Sequence, residues 1–315
     1  MNTDRIRQCM FLVLIVMSSM AGCATTPERR FASPDQAVDS LVQALRSYDR
    51  KELTGIFGSD AADLISSGDE TADRNGVNHF LELYDARHNL NPEPDGSMTL
   101  VIGDQDWPLP IPLVKDEEAN AWYFDAATGQ DEIINRRVGR NELATMQVCL
   151  AAADAQREYA LNDLDGNGIQ DYARKFISDP GQRNGLYWPT DEGQPPSPLG
   201  LLVSQAAEKG YTASSTGKPQ PYHGYRYRLL TSQGPNAPGG AFPYVVQDKM
   251  IGGFALIAYP AEYGASGVMS FIMNHAGVVY ERDLGSQSTS IAEAMTEFDP
   301  GPEWTQVDPA AMVQP

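Results

Sequence analysis

Between residues 33 and 88 the apolar positions recur at helical spacing. Val38, Leu41, Val42 and Leu45 share one face, Leu53, Ile56 and Phe57 a second, and Val77, Phe80, Leu81 and Tyr84 a third. Ser33-Pro34-Asp35-Gln36 forms a capping box with proline at the first helical position. Asp49 opens the second helix, and the third is predicted over about 73–88. The period then shortens: residues 98–102, 109–114 and 121–124 read as strands, separated by turns rich in Asp, Pro and Asn. Pro108, Pro110 and Pro112 have no amide donors, which restricts that piece to an edge strand or an extended lip.

Helical spacing returns in the middle of the chain. Leu143, Met146, Cys149, Leu150 and Ala153 form one stripe, with Glu142, Gln156 and Glu158 off it. Asn141 is the expected N-cap, and Asp163-Leu164-Asp165-Gly166-Asn167-Gly168 ends the helix. Arg136, Arg137 and Arg140 then precede the helix start, where the dipole disfavours cations. A structural network with acids from both sides is the expected compensation; an anion site of arginine forks is the alternative. Further on, residues 172–177 read as a short helix, 179–199 as a loop and 199–209 as a helix. Tyr225, Tyr227 and Leu229 alternate with Arg226 and Arg228, as in a half-buried strand. Residues 253–259 are nearly all apolar and suit a central strand. Residues 268–273 and 278–281 flank Asn274-His275-Ala276-Gly277, a hairpin signal. The tail, 301–315, is Pro-containing and expected to be loosely held.

This order of elements predicts an α+β chain of two domains, over 33–138 and 139–300. Its 315 residues and 42% hydrophobic content can fill two cores. Residues 1–22 read as an export leader: Arg5 and Arg7 precede an apolar run at 10–17 that is too short to span a bilayer. Met20-Ala21-Gly22-Cys23 reads as a lipobox, so Cys23 becomes the acylated mature N-terminus and 23–32 a tether. Ala24, rather than Asp, directs the protein to the outer membrane, facing the periplasm, and more than one acyl chain makes that anchor stable. With Cys9 in the leader and Cys23 acylated, Cys149 is left as a small core residue. A formal net charge of −19 argues against nucleic acid as a partner.

Two candidate sites follow. Asp163, Asp165, Asn167, Ile169 (through its carbonyl) and Asp171 fall at the spacing of a calcium loop, with Gly168 at the sharp turn. Arg174 stands where that loop needs a bidentate Glu, so the site is weak or the stretch is only an acidic turn. Tyr187, Trp188, His223 and Tyr225 are candidates to line a polar-aromatic pocket for sugar or peptide. No nucleophile elbow, zinc-protease motif, paired cysteines or phosphate loop is present. The expectation is therefore a non-catalytic lipoprotein that binds an envelope protein or cell-wall component, or scaffolds the envelope. A hydrolase or transferase acting on envelope material is the alternative.

The segments SSGDETADR, DWPLPIP, RRVGRNEL, GLYWP, HGYRYRLLTSQGPNAPGG, MIGGFALIAYPAEYG and GVVYERDLG together resemble a bacterial family catalogued as domain of unknown function 2950, over about 31–304. That resemblance implies exported or lipidated proteins and brings no activity. AVDSLVQALRSYDRKELTGIF is similar to the opening of nuclear-transport-factor-two-like proteins, implying a cystatin-like helix-plus-curved-sheet domain over 33–138. AQREYA, YARKF, HGYRYRLL and GFALIAYPAEYGASGVMSFIMNHAGVVYE resemble the globular heads of type IV pilins, implying a long helix on an antiparallel sheet over 139–300. Pilins polymerise through an exposed apolar helix half; here that place holds a folded domain and three arginines, so polymerisation is not implied.

Overall fold

A computed structural model describes residues 26–191, 193–212 and 220–312. The chain opens with α1 (Pro34–Ser47), α2 (Arg50–Phe57), the short α3 (Ala62–Ile65) and α4 (Glu70–Ala86). The capping box forms as expected: Ser33 accepts from the Gln36 amide, and Gln36 Oε1 accepts from the Ala32 amide at 3.0 Å. Asp49 caps α2. α4 starts earlier than its apolar pattern indicates, because Asp69 caps it. Strands β1 (His88–Pro92), β2 (Met98–Ile102), β3 (Trp107–Pro108), β4 (Leu113–Asp116) and β5 (Ala121–Phe124) form an antiparallel sheet in the order β1-β2-β4-β5. β3 hangs off β2, the marginal position its prolines require. Leu41, Ile56, Leu100, Ile102, Leu113 and Phe124 close the first core.

Two segments expected to be loose are bound. In the expected tether, Thr26 exchanges hydrogen bonds with Ser59, each at 3.0 Å, and Phe31 pairs with Trp122. Phe31 is buried in the first core, which fixes residues 26–31 to the first domain.

The long helix α5 (Ala126–Asn162) runs 37 residues from an Asp125 cap. The expected start at Asn141 is corrected, and Arg136, Arg137 and Arg140 lie inside the helix. Its early turns have their own burial: Ala126 and Ile133 pack into the first core, and Gly129 lies so close to the Pro110 carbonyl that a Cβ would collide with it. An i,i+4 pair of Glu132 with Arg136 supports the exposed side. The boundary expected at residue 138 therefore falls within a helix that both cores share.

α6 (Gly200–Glu208) follows a long loop. The helix expected over 172–177 does not form. The Tyr172 amide donates to Met250 O, and Tyr187 N–H donates to Phe176 O, so the backbone bonds across the chain instead of to its own preceding turn. A small third core gathers Tyr159, Ala173, Leu186 and Leu199 there.

Next come β6 (Tyr225–Leu230), β7 (Ser232–Gln233), β8 (Phe242–Pro243), β9 (Val245–Val246), β10 (Lys249–Met250), β11 (Ala255–Pro260), β12 (Met269–Asn274) and β13 (Val279–Asp283). α7 (Ser288–Ala294), β14 (Glu297–Phe298) and β15 (Thr305–Gln306) end the sequence of elements. The second sheet is antiparallel, ordered β15-β13-β12-β11-β6, with the fully buried β11 between two partners, as the apolar run requires. β12 and β13 form the expected hairpin. Strand alternation turns Tyr227 and Phe271 toward α5, where the Tyr227 hydroxyl meets Thr145 at 3.3 Å. Cys149 is wholly buried on that face, and burial pushes its thiol up to about 12. The tail is docked: β15 pairs with β13, the Val307 amide donates to Val279 O, and Met312 is buried.

Candidate functional site

A set of long-range polar contacts lies where α5 passes from one core to the other. Arg137 donates to Asp63 O at 2.7 Å, Leu64 O at 2.8 Å and Ala265 O at 3.4 Å. The first two are carbonyls in the last turn of α3, which attract a cation. Burial pulls the guanidinium below its ordinary value, and neighbouring Arg140 adds to this against the pull of Asp73. Arg136 pairs with Glu132 and lies 5.8 Å from the Trp107 ring; Arg140 is exposed. The expected acid clasp is thus corrected: the half-buried Arg137 is held by carbonyls that converge only in the tertiary fold.

Asp69 is the second half of this junction and is 1% exposed. One oxygen caps α4 by accepting from the Ala72 amide, and the other accepts from Tyr211 Oη at 2.9 Å and the Gly224 amide at 2.8 Å. Burial, then Asp69, drives the Tyr211 hydroxyl well above its ordinary range. His223, at φ 52°, packs against Tyr222, with ring centroids 4.3 Å apart. Its imidazole is held below the usual value by burial and by Lys209. Asn141 donates to Ser266 O at 2.8 Å, and a Cβ on Gly224 would sit 2.5 Å from that amide. Gly224 also has φ 73°, so glycine is required twice over.

The expected pocket does not assemble. Tyr187 and Trp188 pack in the third core, with Arg183 5.4 Å from the Trp188 ring. His223 lies at the junction, and Tyr225 is fully buried with its hydroxyl donated to Met269 O. No local pattern links Asp69, Tyr211 and Gly224. The polar cap before α4 was the only available signal.

The acidic turn is closed by its own polar groups. Asp163 accepts from the Asn167 and Gly168 amides, each at 3.0 Å, and the Asn167 side-chain amide donates to Asp165 at 2.6 Å and Asp171 at 3.0 Å. The Ile169 amide donates to Asn167 Oδ1 at 2.9 Å. Lys249 Nζ lies 3.9 Å from Asp165 and 3.7 Å from Asp171. Among the described residues, no group of three or more His, Cys, Asp or Glu is arranged to hold a metal ion.

Glu142 on α5 and Glu281 on β13 interact electrostatically. Glu142 accepts from the Val268 and Met269 amides at 3.0 Å each. Burial, then the Glu142 charge, pushes the Glu281 carboxyl up.

A family model described as a protein of unknown function, DUF2950, matches residues 28–307. No curated protein and no solved structure matches the chain.

Proposed function

The chain belongs to the DUF2950 family of proteins of unknown function, and we propose that it is a lipid-anchored, periplasm-facing outer-membrane protein serving as a non-catalytic binding or scaffolding body. The leader and Cys23, outside the described residues, support the anchor. The observation that carries the scaffolding role is the shared helix α5. It is built into both cores and bonded across the junction by Arg137, so it links the two sheets directly.

The docked segment 26–31 gives this reading a geometry. The three Cα–Cα steps from Cys23 to Thr26 span at most about 11 Å, at ~3.6 Å each. The membrane-facing side is then the edge formed by Ser59 and α2, where Thr26 is bound. Metabolic labelling with an alkyne fatty acid should tag the wild type and not Cys23→Ala; equal labelling of both refutes the anchor. Pull-down from detergent-solubilised envelope tests the binding role.

Calcium at the acidic turn is a further part of this reading. An ion there needs the Asn167 amide turned and the Lys249 ammonium displaced. Binding is therefore weak. The melting temperature should rise with millimolar calcium and not equal magnesium, more so in Lys249→Met and not in Asp163→Ala or Asp165→Ala. A calcium-independent melting curve in both wild type and Lys249→Met leaves only a turn.

The hydrolase reading has in its favour the Glu281 carboxyl, which burial and the Glu142 charge push up, as in a candidate general acid. Turnover of peptidoglycan, esters or phosphodiesters that Glu281→Gln abolishes would establish it in place of the binding role.

A further inference from the structure

The face of the second sheet turned away from α5 carries a cavity of about 330 Å³ that the junction does not use. Ile272 alternates with Phe271 on β12 and so forms its floor. Met295, after the last turn of α7, gives one apolar side, and the half-buried Trp304 gives another. Glu297 and Asp299 also line it.

The two acids are held differently. Asp299 is fixed: its oxygens accept from the Asn236 amide at 2.7 Å and the Asn236 side chain at 2.9 Å. Gly234 packs so closely on it that a Cβ would overlap the carboxyl. Glu297 is exposed, and its contact is the Ser232 hydroxyl at 3.4 Å. The ion pairs of the described residues leave both carboxylates out: nearby Arg282 is taken by Glu303 at 2.6 Å. Arg228 is committed to the end of α7, donating to the carbonyls of Ala292, Glu293 and Met295.

We propose that this cavity binds an alkylammonium group, the chemistry of a lysine side chain. This rests on the binding role proposed above and names its ligand class. The Trp304 ring offers a π system to a cation, and the ammonium hydrogens find the Glu297 and Asp299 oxygens. The alkyl stem packs on Ile272 and Met295. Two carboxylates repel an anion from the same space, and the protein's excess of acid draws cations toward it.

The test is a titration of the full chain followed through its tryptophan indole N–H resonances, with Trp304 identified by Trp304→Phe. Nα-acetyl-lysine amide should shift the Trp304 resonance and saturate; Nα-acetyl-norleucine amide, which has the same four-carbon stem without the ammonium, should leave it in place. Glu297→Gln, at an exposed position, should weaken the lysine derivative about fivefold, and about 0.5 M salt should do the same. No shift at Trp304, or an equal shift with the norleucine derivative, overturns the proposal. An envelope partner recovered equally by wild type and Glu297→Lys would also remove this site as the partner's while leaving the binding role in place.

Discussion

Arg137 and Arg140 lie three positions apart on α5 and have different neighbours. Arg137 satisfies carbonyls of both domains, and removing it leaves those acceptors without their charged donor. Arg137→Ala should cost about 2–3 kcal/mol in urea unfolding, and Arg140→Ala, at an exposed position, should change little. Equal effects would contradict the carbonyl clasp. Two histidines make stability depend on pH. His223 is pushed down mainly by burial at the junction, and His275 by burial beneath Tyr244 and Phe254 with Arg157 nearby. Among the described residues His275 Nδ1 is buried without a hydrogen-bond partner, and a Cβ on Gly253 would lie 2.6 Å from it. A histidine whose folded value lies below its unfolded value, near 6.5, contributes full stability above that pH. The contribution is lost as the pH falls below it, because the unfolded chain takes up the proton first. Melting temperature should therefore fall between about pH 6.5 and 5, and less steeply in His223→Asn/His275→Gln. Asn is chosen because it tolerates the positive φ at residue 223.

At the scale of elements, α5 supplies a paired test through its glycines. Gly139 is exposed, and a Cβ there meets nothing within 4 Å. Gly139→Ala should stabilise the protein by about 0.5–1 kcal/mol, since alanine loses less backbone freedom on entering a helix. Gly129 sits against the Pro110 carbonyl, and Gly129→Ala should destabilise. Denaturant midpoints of the two variants moving in the same direction would show that the early turns of α5 do not dock on the proline lip. The same close approach explains the long helix. Its first turns have little apolar stripe of their own, because a backbone contact and a few side chains anchor them to the first core.

For the whole molecule, the consequence is cooperativity. Two cores joined by a flexible linker unfold separately, whereas cores sharing one helix and a buried polar junction lose both supports together. Calorimetry should show a single transition, and two resolved transitions would contradict the shared frame. Asp69→Ala takes the acceptor from the Ala72 amide, the Tyr211 hydroxyl and the Gly224 amide. It should cost about 3 kcal/mol and split the transition, because its contacts join α4 to the segment before β6. The same variant separates stability from function: a partner captured by wild type should still bind any site lying within one core.

The sequence by itself determined what depends on neighbours along the chain. The caps of α1 and α2, the apolar β11, the β12–β13 hairpin and the burial of Cys149 all follow from local spacing, as does membership of the α+β class. Such signals survive because a helix or strand shows its buried face in its own periodicity. Tertiary structure alone decided the start of α5, the docking of 26–31 and of the tail, and the separation of Tyr187 and Trp188 from His223. It also decided the partners of Arg137 and of Asp69, whose bond to Gly224 spans 155 residues. These depend on which carbonyls and amides two packed cores leave facing each other, and a polar residue does not specify in its local sequence which distant backbone group will satisfy it.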